Sequence, residues 1–274
     1  MAAMATDTSH AATGQVVSAA ARVYEEFFVP ALFGAWAEPV ADAAGLGPGQ
    51  RVLDVGCGTG VHARAAARRV APAGRVVGVD PNDGMLAVAA DSTEPVHWRR
   101  GTAEALPFSD ASFDRVVSGF VLMFLPDPAR ALAEMARVLT PGGRLTVTTW
   151  TSLPTTPGYA AMVDLLDETV GPAAADALRV PFSLGQGAAL HDLLASVFDE
   201  VTVRRVEGSA HFPSIEAWVH TDIRGWTLAD TLTEQEYQTL LDAARDRLTR
   251  FSRPDGRVSF PAPALIATAT RTRP

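Results

Sequence analysis

The chain contains no lysine, and all 23 of its basic residues are arginine. That excludes a phosphate-loop lysine, a Schiff-base lysine and a lysine general base. The single cysteine, Cys57, excludes an intrachain disulfide and a cysteine zinc cluster. Aromatic residues make up only 7% of the chain. No apolar run reaches the roughly 18 residues of a membrane span; the best, Val116 to Leu125, is strand-sized. Residues 1–14 lack the positive and apolar regions of a secretory signal and are expected to be disordered. The net charge is −8, so there is no sequence-wide basic field for nucleic acid. Six histidines show no H-x-x-x-H spacing, and no metal site is expected. What is left is a cytoplasmic globule, monomeric or homodimeric, partnered by neither nucleic acid nor membrane. Its 274 residues, 47% apolar and 20% charged, suffice for a large core.

From Gln15 to Ala44 apolar residues recur at three- and four-residue spacing, which predicts helix, broken into pieces by Pro30 and Pro39. From Arg51 the rhythm changes. Short β-branched strands are expected at Arg51–Val55, Arg75–Val79, Phe113–Gly119 and Arg144–Trp150, the last after a turn at Pro141-Gly-Gly143. Helices are expected between them, at 61–70, 83–90 and 128–139. Further on, helices are expected at 187–198, 214–226 and 234–250, a strand at Val201–Val206 and a last strand within Val258–Thr270. Alternating strands and helices imply an α/β fold, a doubly wound, mostly parallel sheet with helical additions. The expected division is a helical cap at 15–47 and a main domain at 48–274 carrying a helical cap insert at about 208–250.

The informative segment is Val52-Leu-Asp-Val-Gly-Cys-Gly-Thr-Gly60, at the end of a strand and just before a helix. Glycines there let a ligand approach the backbone, and a helix N-terminus offers free N–H groups. Open α/β sheets bind ligands at this place. The spacing is G-x-G-x-G at Gly56, Gly58 and Gly60, not the G-x-G-x-x-G of dinucleotide folds, and Asp54 stands just upstream. A carboxylate ~4 Å from a pyrophosphate charge costs about 4 kcal/mol at an effective dielectric of ~20. No basic residue in 52–61 offsets that, so a cationic ligand without phosphate is favoured. Asp80 ends the second strand, where a carboxylate can accept both ribose hydroxyls; alternatively it caps the helix starting near Asn82 or Asp83.

Taken in order, five segments carry a family resemblance: the glycine segment; Val76-Val-Gly-Val-Asp80 with Met85; Gly101-Thr-Ala-Glu-Ala-Leu-Pro-Phe108; Ser112-Phe-Asp-Arg-Val-Val117; and Leu139-Thr-Pro-Gly-Gly143. Over about residues 48–150 the chain resembles class I S-adenosylmethionine-dependent methyltransferases of the ubiquinone/menaquinone-biosynthesis group and its small-molecule relatives. The resemblance implies a seven-stranded Rossmann-like sheet, S-adenosylmethionine as cofactor, and methyl transfer to O, N or C of a small-molecule acceptor in specialised metabolism. It implies that Gly56, Gly58 and Gly60 wrap the methionine part, that Asp54 orients its ammonium, that Asp80 holds the ribose and that Met85 packs on the adenine. It likewise sets Thr102, Ala103 and Glu104 along the adenine edge, the Ser118 backbone at the amino-acid end, and Tyr24 over the cofactor. Two positions depart from the family. Thr102 stands where Asp is common, and Gly119 where near relatives often carry Gln, which leaves room or a gap beside the methyl group.

The acceptor pocket is expected over the strand ends, with Phe120, Trp218, His220 and Arg224 among its walls. His220 and Asp222 are the candidate catalytic residues, since a histidine near its free pKa can serve as base. The commoner reading of that segment is a surface helix with ordinary charge pairing and core tryptophans. His62 either reaches the cofactor carboxylate or is simply solvated, the latter being the plainer expectation; Cys57 is read as packing. An alternative function on the same fold is a cofactor-bound enzyme that cyclises or rearranges its substrate without methylating it.

Overall fold

Strand β1, Arg51–Val55, is buried along all but its first residue, which is why its sequence is continuously apolar apart from Asp54. The computed structural model describes residues 18–225 and 232–272. Parallel to β1 run β2 (Arg75–Asp80) and β3 (Val96–Arg100) on one side, and β4 (Phe113–Gly119) and β5 (Leu139–Trp150) on the other. Then follow β6 (Glu200–Val206), β7 (Ser209–Phe212), β8 (Val258–Pro261) and β9 (Ala264–Thr270). The main sheet has seven strands in the order β3-β2-β1-β4-β5-β9-β6, with β9 antiparallel to both of its neighbours. Helices 61–70, 83–90 and 128–138 are the crossovers of the parallel part. The first is built from alanines whose small side chains pack flush on the sheet; the third is capped by Asp127 with Pro128 in its first turn. The order reverses between β1 and β4, so a crevice opens at their carboxyl ends.

Several expectations are corrected. β3 was not foreseen, because its sequence, Val-His-Trp-Arg-Arg, is that of a polar edge strand. Val258–Thr270 is two strands: the chain breaks at Ala262-Pro263, and β8 pairs with β7 in a separate two-stranded sheet. The insert at 208–250 is therefore not purely helical. Pro141-Gly-Gly143 lies within β5 as an irregularity: Gly142 has φ +79°, and backbone bonds to Arg271 hold it. Pro30 does not break its helix. Residues Tyr24–Phe33 form a wide-turn helix with a bond from the Gly34 N–H to the Val29 carbonyl, and the wider turn tolerates the ring. Pro39 sits in the first turn of the helix Ala37–Ala44, where it is tolerated. The expected helix at 214–226 runs Ile215–Arg224 with Ser214 as cap; Trp226, like residues 1–14, lies outside the described residues.

Candidate active site

β1 ends at Val55, and the chain turns back through Gly56, whose N–H donates to the Val79 carbonyl at 2.8 Å. Gly56 has φ +69°, and a Cβ there would lie 2.5 Å from Val121 Cγ2. Gly60 has φ +95°, and a Cβ would meet the Trp98 indole of β3. Gly58 differs: at φ +53° its Cβ direction is open, with no protein atom within 4 Å. Two of the three glycines are thus demanded by the protein's own packing, whereas Gly58 faces the space left for a ligand.

The Gly58 N–H donates to Asp80 Oδ2 at 2.9 Å, and the Asn82 N–H donates to Asp80 Oδ1, also at 2.9 Å. Asn82 itself caps the helix 83–90 by accepting from the Met85 N–H. Asp80 is therefore not the helix cap, and its carboxylate is left to line a chamber of about 470 Å³ over the strand ends. Burial raises its pKa, and the two backbone donors pull it back.

Of the residues singled out from the sequence, Tyr24, Gly56, Gly58, Met85, Thr102, Ala103, Glu104 and Phe120 line the same chamber. Burial, then the charges of Asp80, Glu25 and Asp54, hold the Tyr24 hydroxyl far above its ordinary pKa, so it stays a hydrogen-bond donor. The sequence reading did not single out Phe33, Asn82, Asp127, Arg130 or Trp150, which also line it. Asn82 was findable as the residue that must cap a helix if Asp80 does not; Phe33 and Trp150 carry no local signal of that role. Phe120 is one of two non-glycine residues with positive φ among the described residues, at +60°. Its N–H donates to the Thr148 carbonyl at 2.7 Å, and its ring stacks on Trp150 with centroids 4.1 Å apart.

Asp54 lies one layer beneath the wall, 1% exposed. Neither of its oxygens has a well-formed hydrogen bond, although the Ala63 N–H partly offsets the cost. Burial, reinforced by the Asp80 charge, pushes the carboxyl up to about 7. Cys57 is buried, and its thiol is pushed well up by burial and the Asp54 and Asp80 charges, in keeping with packing.

Other expected site residues are not brought to the chamber. Ser118 is fully buried, its hydroxyl donating to the Val55 carbonyl at 3.1 Å. Gly60 packs on Trp98. Trp218 is fully buried in the insert, 5.7 Å from Phe212 and 4.6 Å from Phe260 between centroids. Asp222 is enclosed beside it and accepts from the Tyr159 hydroxyl at 3.3 Å; burial pushes its carboxyl up to about 8. His220 rests edge-on against Phe27, and Arg224 pairs with Glu234 at 2.7 Å and stacks on Tyr237. As a catalytic and substrate-binding set, Trp218, His220, Asp222 and Arg224 are corrected: the helix 215–224 turns its apolar face and Asp222 into a core shared with Tyr159, Phe212 and Phe260. His62 is not solvated but 8% exposed, and burial lowers its pKa to about 4. Gly119 leaves no gap, because the His62 ring fills it.

Residues 53–147 match the family model described as a methyltransferase domain. That segment is similar to known methyltransferase domains. Within it lie the glycine turn, Asp80 and Phe120. The demethylmenaquinone methyltransferase of Staphylococcus aureus is 42% identical over 140 residues, 50% of this chain and 58% of that protein. The chain thus spans little more than half the length of the curated relatives it matches. The chain shares its fold with two solved structures. The YcgJ protein of Bacillus subtilis has TM-score 0.59 and 22% identity, over 88% of this chain and 99% of that one. Phosphoethanolamine N-methyltransferase 2 of Haemonchus contortus, solved with S-adenosyl-L-methionine, has TM-score 0.60 and 20% identity, over 94% of this chain and 58% of that one. No helix among the described residues is long and apolar enough to cross a membrane.

Proposed function

We propose that the protein is a cytoplasmic enzyme that transfers a methyl group from S-adenosylmethionine to a small-molecule acceptor. The observation that carries this reading is the Asp80 carboxylate, held by two backbone N–H groups at the chamber rim. Each oxygen accepts one bond and keeps a lone pair, which suits the two hydroxyls of a ribose. Gly58 leaves its Cβ direction open for the methionine part, and Met85 and Ala103 offer an apolar slot for the adenine. Glu104 keeps a buried, unpartnered oxygen that suits an amino donor, a contact Thr102 cannot match in charge. No lysine or arginine stands among residues 52–61, so the glycine turn itself carries no cation to offset Asp54 for a pyrophosphate.

When bound, S-adenosylmethionine supplies a methyl group activated on a sulfonium sulfur. The chain's own contribution is positioning and exclusion of water. Phe33, Phe120 and Trp150 make the acceptor end dry, and holding a nucleophile there can contribute roughly 7–11 kcal/mol. Tyr24 keeps its proton and serves as a donor over the site, not as a base. The test is calorimetric titration with S-adenosylmethionine and S-adenosylhomocysteine, followed by an assay for labelled methyl in the product. Saturable binding of both is expected; no saturable binding at millimolar ligand would overturn the reading, and turnover without label transfer would favour a cyclase or rearranging enzyme instead.

A further inference from the structure

His62 is the second residue of the helix that follows the glycine turn, and its ring is buried with Nε2 unpartnered. A Cβ built on Gly119 would lie 2.7 Å from His62 Nδ1 and 3.0 Å from Nε2, and closer still to Cε1. The imidazole therefore occupies the volume that a side chain at residue 119 would take. Gly119 stands opposite Thr148 in the sheet register, and Thr148 Oγ1 is also buried and unpartnered. The next residue is Phe120, with its left-handed backbone; its ring centroid is 6.3 Å from that of His62 on one side and 4.1 Å from Trp150 on another. Phe120 and Trp150 line the chamber, but His62 does not.

We propose that His62 is a positioning residue that sets the depth of the acceptor end: it stands in for the missing side chain at 119 and braces Phe120 against Trp150. The proposal rests on reading that end of the chamber as the acceptor pocket. Packed interiors transmit such a change directly, because a gap or an overlap of one group shifts the neighbouring ring. A non-glycine residue held at positive φ needs surrounding structure to over-determine it, and the His62 ring and the Thr148 carbonyl supply that here. Unlike Asp80, His62 does not line the chamber, so the two ends of the chamber are separable.

The test uses the full chain saturated with S-adenosylhomocysteine and the uncharged fluorophore N-phenyl-1-naphthylamine as probe of the aromatic end. His62→Ala opens the space behind Phe120 and is expected to tighten the probe about fivefold. Gly119→Ala forces the imidazole toward Phe120 and is expected to weaken it about fivefold. His62→Ala with Gly119→Ala returns it toward wild type, and His62→Gln, which keeps the bulk, stays close to wild type. S-adenosylhomocysteine affinity, measured by calorimetry, stays within twofold throughout. Equal probe affinity in all variants, or no probe binding in any, overturns the proposal. If His62→Ala does not fold, Gly119→Ala decides alone. Loss of S-adenosylhomocysteine binding by the wild-type protein would instead count against the cofactor reading, and the probe series can be read without it.

Discussion

Two parts of this molecule bury carboxylates, and they do so in different ways. At the strand ends Asp80 is fastened by two backbone N–H groups but still faces the chamber, while Asp54 beneath it lacks any well-formed bond. In the helix 215–224 Asp222 is enclosed by Tyr159 and Trp218 and does not line the strand-end chamber. Burial alone is therefore no sign of function. What distinguishes Asp80 is that its carboxylate lines a space large enough for a ligand, whereas Asp54 and Asp222 each keep a buried oxygen without a partner that does not line that chamber.

The sharpest way to break this contrast is to remove Trp218. It is fully buried among Phe212, Phe251 and Phe260, so Trp218→Ala should destabilise the fold by about 3–5 kcal/mol in denaturant unfolding. S-adenosylhomocysteine affinity of the folded fraction should stay within twofold. A large affinity loss would return this tryptophan to the site.

Asp80→Ala should do the reverse. It removes two charge-assisted acceptors for ribose, worth about 1.5–3 kcal/mol each at most, and releases Gly58. About a hundredfold weaker S-adenosylhomocysteine binding is expected by calorimetry, roughly 2.7 kcal/mol. A change under threefold would mean that the carboxylate serves only to fasten the turn.

The sheet and cofactor end were legible in the sequence because their signals are local. Glycines at 56, 58 and 60, the strand-ending Asp80 and the β-branched runs each depend on neighbours a few residues away. Of the acceptor end only Phe120 was legible, because Phe33 and Trp150 come from distant segments and meet it only in the fold. The insert misled for a related reason. His220, Asp222 and Arg224 form a polar run, yet helical rotation sends Asp222 inward and Arg224 toward Glu234. The strand β3 hid behind its charges, although its Trp98 is what makes Gly60 necessary.

Titration should separate the two groups of carboxylates more finely. Asp54 and Asp222 have folded-state pKa values of about 7 and about 8, against an ordinary 3.8. Each favours the folded chain when protonated, so its contribution is full below about pH 4 and is lost as pH rises through the folded value. Asp114 and Glu134, held low by Arg51 and Arg137, act oppositely and only at more acid pH. The ligand-free protein should therefore lose melting temperature between pH 5 and 8.5, by differential scanning calorimetry. Asp222→Asn should flatten the upper part of that slope and leave S-adenosylhomocysteine binding alone. Asp54→Asn should flatten the lower part and reduce the pH dependence of binding, which in wild type weakens as pH falls below about 7 and to which Asp80 also contributes. The same pH dependence of binding in both variants would contradict the role given to Asp54.

Arg224 provides the smallest effect and the finest test. It pairs with Glu234, whose side chain is 70% exposed, and lies 4.7 Å over the Tyr237 ring. Exposed pairs contribute about 0.2–1 kcal/mol, and an exposed cation over a ring about 0.5–1. Both contacts tie the helix 215–224 to the helix 234–247, within the insert and away from the chamber. Arg224→Ala should therefore cost about 1 kcal/mol of stability, less at high salt, with unchanged S-adenosylhomocysteine and N-phenyl-1-naphthylamine affinity. Because the chamber wall contains Arg130 as well, the matched variant Arg130→Ala supplies the contrast. Arg130 donates from its side chain to the Glu104 carbonyl at the chamber edge, so its loss should weaken the cofactor end a few-fold where the loss of Arg224 does nothing. Equal effects from the two arginines would erase the boundary between the strand-end site and the insert.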